Sequence, residues 1–377
     1  MKIACVFGTR PEIIKFAPII AALKKQPEFE LTLIATDQHR ELLQEMLKVF
    51  DIHPDIELHC MLPNQSLTSL TTELLRKVAP IFTEKKYDAV LIQGDTTTVM
   101  VVALVCFYNH IPVGHIEAGL RTFDIHNPFP EEMNRIFVSP LSSWHFVPTE
   151  IEYNNLVREH INENKIFITG NTVIDAIKMI IQKGITPSFK PQPDKRTILV
   201  TAHRRENHGA PLKNICQALK ILTKKFDDIQ IVFPVHPNPN VHETVHKILG
   251  DEANIHLIAP LTYTDFVAYM NLCYFIMSDS GGVQEEAPAL GKPVLILRDN
   301  TERPKTVSCG AGLLVGTSVE NIVVQASTLL TDSDLYYQMS HTLSPYGDGK
   351  AAERIVEILK TKLFNLEMHE NSSSLNS

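Results

Sequence analysis

Short apolar runs alternate with amphipathic segments along most of the chain, and most are bounded by Gly, Pro or Asp. The runs fall at residues 2–7, 31–35, 89–93, 113–116, 145–148, 166–169, 197–201, 229–235, 255–258, 274–278 and 294–297. Short apolar strands separated by helix-length segments are typical of parallel sheets with crossover helices. The pattern therefore predicts an α/β fold built on doubly wound parallel sheets.

The chain is long enough for two such sheets, because its 377 residues exceed the usual size of one domain. Three prolines without periodicity at 185–194 indicate a linker. We predict an N-terminal domain at 1–180, a linker at 181–195, a C-terminal domain at 196–350, a closing helix at 351–365 that packs back on the N-terminal domain, and a disordered tail at 366–377. Since such sheets bind ligands at the carboxyl ends of their strands, we expect the site in a cleft between the domains.

Charge and cysteine usage exclude several classes of protein. The net charge is −8 and no lysine or arginine run is present, which argues against a nucleic-acid partner. The six cysteines are scattered, with no C-x-x-C pair, which is typical of a reduced compartment without a structural zinc site. The longest apolar run, at 99–108, is too short to cross a bilayer. We therefore expect a cytoplasmic protein without a membrane partner.

The most informative motif is SDSGGVQEE at residues 278–286, which follows one apolar run and precedes another. The paired Gly281 and Gly282 let the backbone approach an anion, and the start of the next helix offers N–H groups to it. Glu286 lies one turn further on, within reach of a ligand's hydroxyl groups. An anion plus a diol suggests a nucleotide or nucleotide-sugar. The alternative is a tight turn before a well-capped helix.

Two motifs of the N-terminal half also follow strands. GTRPE at 8–12 places Arg10 at a helix start, where its guanidinium suits phosphate, although it could be a surface arginine on a capped helix. QGDTTT at 93–98 places Asp95 between a strand and a helix. Asp95 is either the N-cap of that helix or, if a following threonine caps instead, a site carboxylate.

Further carboxylates follow the next strand. Glu117 lies in GHIEAGLRT at 114–122, where a buried carboxylate is costly unless it is used or paired, for example with Arg121. PFPEEMNR at 128–135 adds the acidic pair Glu131 and Glu132 and, one turn on, Arg135. The alternative for this pair is a helix start that favours acidic residues in its first turn.

The C-terminal half carries a cationic group in TAHRREN at 201–207, with His203 beside Arg204 and Arg205. A histidine there suits proton transfer or stabilisation of a leaving group. His236 ends the next strand, and for it a structural role is the alternative. All these motifs lie at carboxyl ends of predicted strands, so we expect them at one edge of each sheet.

Read together, these motifs closely resemble the non-hydrolysing UDP-N-acetylglucosamine 2-epimerases of bacteria, in family order from GTRPEIIK at 8–15 to PYGDG at 345–349. The resemblance implies the GT-B architecture: two Rossmann-like, doubly wound parallel-sheet domains facing across a cleft, with UDP on the C-terminal one. It implies reversible conversion of UDP-GlcNAc to UDP-ManNAc for cell-envelope or capsular polysaccharide, without metal or cofactor. The family also suggests a homodimer.

The resemblance further implies roles for residues at matching positions. The catalytic set is Asp95, Glu117, Glu131 and His203, with the order in which the carboxylates remove and return the C2 proton left open. The substrate-binding set is Arg10, Lys15, Arg135, Arg204, Glu206, His236, Ser280, Gly281, Gly282 and Glu286. Some family members bind a second UDP-GlcNAc as an allosteric activator through the segment matching Gln38, His39 and Arg40. The basic loop that usually accompanies it reads LPNQ here, at 62–65.

Three other functions remain open at this point. A hydrolysing relative would release ManNAc and UDP through the same first steps. A GT-B glycosyltransferase would share the nucleotide site but leave the three carboxylates unexplained. A catalytically silent nucleotide-sugar sensor would be expected to lack one of Asp95, Glu117, Glu131 and His203, and all four are present.

Overall fold

The structure is a computed structural model that describes residues 1–36, 40–61 and 64–374. The chain divides into two compact units. Unit 1 comprises Met1–Ala176 and Gly347–Ser377, and unit 2 comprises Ile177–Tyr346. Each unit is built around its own parallel sheet.

The strands of unit 1 are β1 (Lys2–Phe7), β2 (Glu30–Ala35), β3 (Ile56–Glu57), β4 (Ala89–Gln93), β5 (Val113–Ile116), β6 (Trp144–Val147) and β7 (Ile166–Ile168). They form a parallel sheet in the order β3-β2-β1-β4-β5-β6-β7. The helices of unit 1 are α1 (Arg10–Leu23), α2 (Arg40–Phe50), α3 (Leu67–Glu84), α4 (Thr97–Tyr108), α5 (Glu131–Leu141) and α6 (Glu150–Arg158). The helix α7 (Thr172–Gln182) begins in unit 1 and ends in unit 2. The edge strand β3 was not predicted, because its two residues are too few to show a pattern.

The strands of unit 2 are β8 (Arg196–Thr201), β9 (Ile229–Pro234), β10 (Ile255–Ile258), β11 (Phe275–Ser278), β12 (Val294–Ile296) and β13 (Gly312–Leu314). They form a second parallel sheet in the order β10-β9-β8-β11-β12-β13. Its helices are α8 (Ala210–Lys225), α9 (Pro239–Leu249), α10 (Tyr263–Leu272), α11 (Gly281–Glu286), α12 (Pro304–Ser308), α13 (Val319–Thr331) and α14 (Ser333–His341). The short β13 was also not predicted.

The strand order reverses beside β1 and β4 in unit 1 and beside β8 and β11 in unit 2. Where the connections that follow two adjacent parallel strands lead to opposite sides of the sheet, they leave an opening at the carboxyl ends of these strands, which is where doubly wound sheets bind ligands. The prediction of two doubly wound parallel-sheet domains is confirmed. The motifs of the sequence analysis that begin at Gly8, Gln93, Thr201 and Ser278 all stand at these two reversal points.

The last helix, α15 (Ala351–Ser374), belongs to unit 1 and packs against α1. The carboxylate of Asp175 accepts the N–H groups of Ala351 at 3.3 Å and Ala352 at 2.9 Å, and burial raises the pKa of Asp175. The backbone remains helical past the predicted end at residue 365, since residues 366–370 include Leu, Glu and Met, which are strong helix formers. Within the described residues, no helix is long and apolar enough to cross a membrane.

Candidate functional site

The loop between β1 and α1 is organised by a buried carboxylate. Glu12 accepts the N–H of Gly8 at 2.6 Å and of Thr9 at 2.8 Å, and the hydroxyl of Thr96 donates to it at 2.6 Å. Thr9 is the N-cap of α1 and forms a capping box with Glu12. Burial raises the pKa of Glu12, and the three donors oppose that rise. Glu12 thereby ties the end of β1 to the end of β4, and Arg10 begins α1 at this junction.

Asp95 lies two residues after the end of β4 but does not cap α4. The cap is Thr96, whose hydroxyl accepts the N–H of Val99 at 3.4 Å. The Asp95 carboxylate instead accepts from Arg135, with Nε at 2.8 Å and Nη2 at 2.6 Å from Oδ2. The amide of Asn134 donates to the Asp95 carbonyl at 2.9 Å. The structure therefore brings together two predicted site residues, Asp95 and Arg135, that are 40 positions apart.

The two acidic residues at the start of α5, Glu131 and Glu132, lie in different environments. Glu132 is fully buried and accepts the N–H groups of Thr122 and Phe123, both at 3.0 Å, and Nη1 of Arg135 at 2.9 Å. Burial disfavours its charge, but these donors outweigh burial and lower the pKa of Glu132. Glu131 is only half-buried at the first position of α5. Glu132 therefore shapes the loop before α5, and Glu131 remains the candidate for chemistry.

The Glu117 carboxylate accepts hydrogen bonds from described side chains of separate elements, among them Lys15, Gln93 and Asn171. Lys15 and Gln93 both donate to Oε2, and the amide of Asn171 donates to Oε1 at 3.1 Å. Its φ is +61°, in the left-handed region that costs free energy for a residue other than glycine. Arg121, the partner that the sequence suggested, pairs with Glu159 at 2.6 Å. A residue in a strained backbone conformation whose carboxylate is oriented by hydrogen-bond donors is typical of a functional position.

Two buried histidines lie near Glu117, on the neighbouring strands β5 and β6. His115 of β5 pairs in register with His145 of β6, and Nε2 of His115 lies 2.7 Å from the Gly94 carbonyl oxygen. Burial lowers the pKa of His115 to about 4 and that of His145 to about 3. Both rings are therefore neutral near pH 7, and His115 supports the backbone that leads into Asp95.

In unit 2, hydrogen bonds of Asp279 link the carboxyl ends of β8 and β11. This fully buried carboxylate accepts, on Oδ2, the N–H groups of His203 and Arg204 at 2.8 Å and the side chain of Asn207 at 2.9 Å. The His203 ring stacks on that of His236, with centroids 5.9 Å apart. Three motifs that the sequence offered separately are thus assembled at one reversal point.

The paired glycines begin α11 next to a guanidinium. A Cβ on Gly281 would lie 3.6 Å from Nη2 of Arg204, and one on Gly282 would lie 3.9 Å from the Ser280 hydroxyl and 4.0 Å from Oε1 of Glu286. The hydroxyl of Tyr263 donates to Glu286 at 3.2 Å. Backbone N–H groups, a cation and an oriented carboxylate therefore lie together at the start of α11, an arrangement that suits an anion that also carries hydroxyl groups.

Two other acidic residues of this region are engaged in ion pairs. Glu206 pairs with the buried Arg298 at 2.6 Å, and Glu285 pairs with Arg303. Of the adjacent Glu285 and Glu286, it is therefore Glu286 that stands at the glycine turn. No cluster of three or more His, Cys, Asp or Glu residues able to hold a metal ion occurs within the described part of the chain.

The sequence and the fold both match those of a known protein family. The family model described as UDP-N-acetylglucosamine 2-epimerase matches residues 21–360. The UDP-N-acetylglucosamine 2-epimerase of Escherichia coli strain K12 is 49% identical over 377 residues, covering 97% of this chain and 100% of the relative. The chain belongs to the UDP-N-acetylglucosamine 2-epimerase family. A Bacillus subtilis epimerase is 47% identical over 360 residues, 95% of each protein.

Solved structures of this epimerase family agree with the fold. The crystal structure of UDP-GlcNAc 2-epimerase from Neisseria meningitidis bound to UDP-GlcNAc matches with a TM-score of 0.84 at 46% identity, covering 96% of this chain and 100% of that one. The resemblance found in the sequence and the predicted GT-B class, with two Rossmann-like domains, are confirmed. The chain is an enzyme of the isomerase class.

Sequence reasoning did not assign a supporting role to the residues that hold the predicted ones in this epimerase: Glu12, Gln93, Glu132, Asn171, Asp279 and Asn207. Gln93 is a polar residue at the end of an otherwise apolar strand, and Asp279 directly follows another such strand, so both carried a signal. Of the predicted activator segment, Gln38 and His39 lie outside the described residues, and Arg40 is described only as the first residue of α2.

Proposed function

We propose that the chain catalyses reversible epimerisation at C2 of UDP-GlcNAc, giving UDP-ManNAc, without hydrolysis. The observation that carries the proposal is the Glu117 carboxylate after β5, strained at φ +61° and directed by Lys15, Gln93 and Asn171. Membership of a family named for this reaction supplies the substrate.

The proposed reaction is an anti elimination of UDP followed by its re-addition. A carboxylate takes the C2 proton, the C–H electron pair forms the C1=C2 bond, and the C1–O pair leaves on the diphosphate, giving 2-acetamidoglucal and UDP. UDP then adds back at C1 while a proton returns to the other face of C2. Because the C2 proton is weakly acidic, departure of the diphosphate runs ahead and positive charge develops at C1, where carboxylates stabilise it.

Unit 1 supplies the acid–base groups in this proposal. Asp95, Glu117 and Glu131 form the set, and between them they remove and return the C2 proton. Arg135 orients Asp95 and Lys15 orients Glu117, as their ion pairs support. Arg10, at the first position of α1, acts on phosphate oxygens.

Unit 2 binds the UDP moiety in this proposal. Arg204, the Ser280 hydroxyl and the N–H groups of Gly281 and Gly282 hold the diphosphate, and Glu286 accepts from ribose hydroxyls. The closeness of Arg204 to the glycine turn supports this assignment. His203 stabilises the departing diphosphate, and His236, stacked against it, helps to hold the nucleotide. Glu206 acts through its ion pair with Arg298, which braces the loop after β8.

Three further parts of the proposal follow from the family resemblance. The product feeds a cell-envelope or capsular polysaccharide, and the enzyme acts in the cytoplasm. It forms a homodimer, which the exposed apolar side chains of the adjacent helices α4 and α5 support: Phe107 is 56% exposed, Tyr108 66% and Phe137 51%.

The test is NMR of the purified protein with UDP-GlcNAc in D2O. We expect a mixture of UDP-GlcNAc and UDP-ManNAc that carries deuterium at C2, because the proton exchanges with solvent during each cycle. Free ManNAc accumulating with UDP would identify a hydrolysing enzyme instead. Substrate left unchanged would overturn the proposal and favour a transferase or a binding protein. A Glu84→Gln variant, altered at an exposed carboxylate of α3, is the matched control and should behave as the parent.

A further inference from the structure

The two oxygens of Asp279 have different surroundings. Oδ2 accepts three donors at 2.8–2.9 Å: the N–H groups of His203 and Arg204 and the side-chain amide of Asn207. Oδ1 has no hydrogen-bond partner among the described residues, although the whole side chain is fully buried. A buried carboxylate oxygen without a hydrogen-bond partner costs free energy, so we expect Oδ1 to have a function.

The imidazole of His203 lies close to Oδ1 and can donate to it. Its Nδ1 lies 3.4 Å from Oδ1, within ion-pair range but not aligned as a hydrogen bond. The His203 side chain is 41% exposed, whereas that of Asp279 is inaccessible to water. The ring therefore stands between a buried anion and the open face of the site, with Nδ1 toward Asp279. Such contacts are often loose without substrate and tighten when it binds.

We propose that Asp279 is a positioning residue for His203, and this rests on the role given to His203 in the proposed function. Oδ1 accepts a hydrogen bond from Nδ1–H, which selects the tautomer that leaves Nε2 as the nitrogen directed at the diphosphate. When Nε2 is also protonated, the buried carboxylate balances the charge of the imidazolium. Oδ2 meanwhile holds the backbone of His203 and Arg204, so one carboxylate sets both the place and the orientation of the ring.

The stacking of His203 on His236 supports this arrangement. Parallel rings 5.9 Å apart, at an interplanar angle of 17°, restrict the rotation of His203. A ring held on one face and anchored at Nδ1 has only Nε2 left to offer to a ligand. The two contacts are independent, because His236 follows β9 and Asp279 follows β11.

The decisive variant is Asp279→Asn, which keeps an oxygen for the three N–H donors and replaces only Oδ1 by an amide group. That amide would donate to Nδ1 of His203 and so reverse the tautomer to Nε2–H. The matched control is Asn207→Ala, which removes one donor to Oδ2 and leaves Oδ1 unchanged. Nitrogen NMR of the full-length protein labelled with ¹⁵N-histidine at alkaline pH reads the tautomer, with His203→Gln identifying the signals.

We expect the Nδ1–H tautomer in the parent and in Asn207→Ala, and the Nε2–H tautomer in Asp279→Asn. Asp279→Asn should also lose roughly 10²-fold or more in kcat while UDP affinity is nearly unchanged, since the ring loses its orienting anion. An Nε2–H tautomer in the parent would overturn the proposal even if the variant failed to fold. A tautomer switch in a protein that does not epimerise UDP-GlcNAc would instead leave the pairing intact and overturn the proposed function.

Discussion

At the scale of single residues, the site is held by side chains that act on other side chains. Glu117 is directed by three residues and Asp95 by Arg135, and each partner comes from another element. Such preorganisation matters because groups that are already oriented need no rearrangement when charge develops in the reaction. Two predictions belong to this scale.

Glu117→Gln should keep UDP binding and lose turnover, because the amide fits the same donors poorly and cannot exchange a proton. We expect kcat to fall by roughly 10²–10⁴-fold, the usual contribution of an acid–base group, with the Kd for UDP nearly unchanged by calorimetry. Glu84→Gln serves as the control. Turnover close to that of the parent would remove Glu117 from the mechanism.

The buried His145 should make unit 1 sensitive to acid. Burial lowers the pKa of His145 from 6.5 to about 3. Below pH 6.5 the unfolded chain therefore binds a proton at this residue, whereas the folded chain does not. Because protonation favours the unfolded chain, the free energy of unfolding falls as the pH falls. Between pH 7 and pH 5 the loss is about 2 kcal/mol.

His145→Phe should abolish this part of the pH dependence, whatever it does to stability at pH 7. Denaturant unfolding followed by fluorescence of Trp144, the only tryptophan and a β6 residue, reports unit 1 alone. His53→Gln, a change at an exposed histidine, is the control. Equal pH slopes in the parent and in His145→Phe would refute the assignment of acid sensitivity to this ring.

At the scale of elements, the loops that follow the strands depend on backbone conformations that sequence rarely reveals. Gly119, after β5, has φ +85°, and a Cβ there would lie 2.5 Å from the carbonyl oxygen of Glu152. Gly94, after β4, has φ +81°, but apart from its chain neighbours no described residue lies within 4 Å of its added Cβ. Substitution of Gly94 therefore measures the cost of the left-handed conformation, and substitution of Gly119 adds the cost of a steric clash.

Gly119→Ala should be distinctly more destabilising than Gly94→Ala. The left-handed conformation alone costs about 1–2 kcal/mol for alanine, and the contact with Glu152 should add about 1–3 kcal/mol at Gly119 because a backbone carbonyl cannot easily move aside. Trp144 fluorescence in denaturant measures both variants. Equal losses at the two positions would show that the loop after β5 yields to the extra methyl group.

At the scale of the whole molecule, the proposed homodimer should depend on the exposed aromatic side chains of α4. Phe107→Glu is expected to place a charge in the apolar contact and shift the protein from about twice its chain mass of 42.4 kDa toward that mass. Sedimentation equilibrium at micromolar concentration measures this. Tyr337→Glu, at an aromatic residue of unit 2 that is 62% exposed, is the control. A parent that sediments as a monomer would contradict the dimer.

Much of the fold could be predicted because its determinants are local. The apolar runs that became β1, β4, β5 and β10 were predicted with the observed bounds, since a buried parallel strand needs an uninterrupted apolar segment whatever surrounds it. The two-residue β3 and the three-residue β13 escaped prediction, because they are strands only through pairing with β2 and β12.

The fold class, the family and the candidate side chains could be inferred from consecutive residues, because strand and helix patterns and short motifs are local. The partner that each side chain takes depends on the tertiary structure. Lys15 reaches Glu117 across 102 positions and Asp279 reaches His203 across 76. The physical reason is that hydrogen bonds and ion pairs act over a few ångströms, and parallel sheets bring distant strand ends within that range.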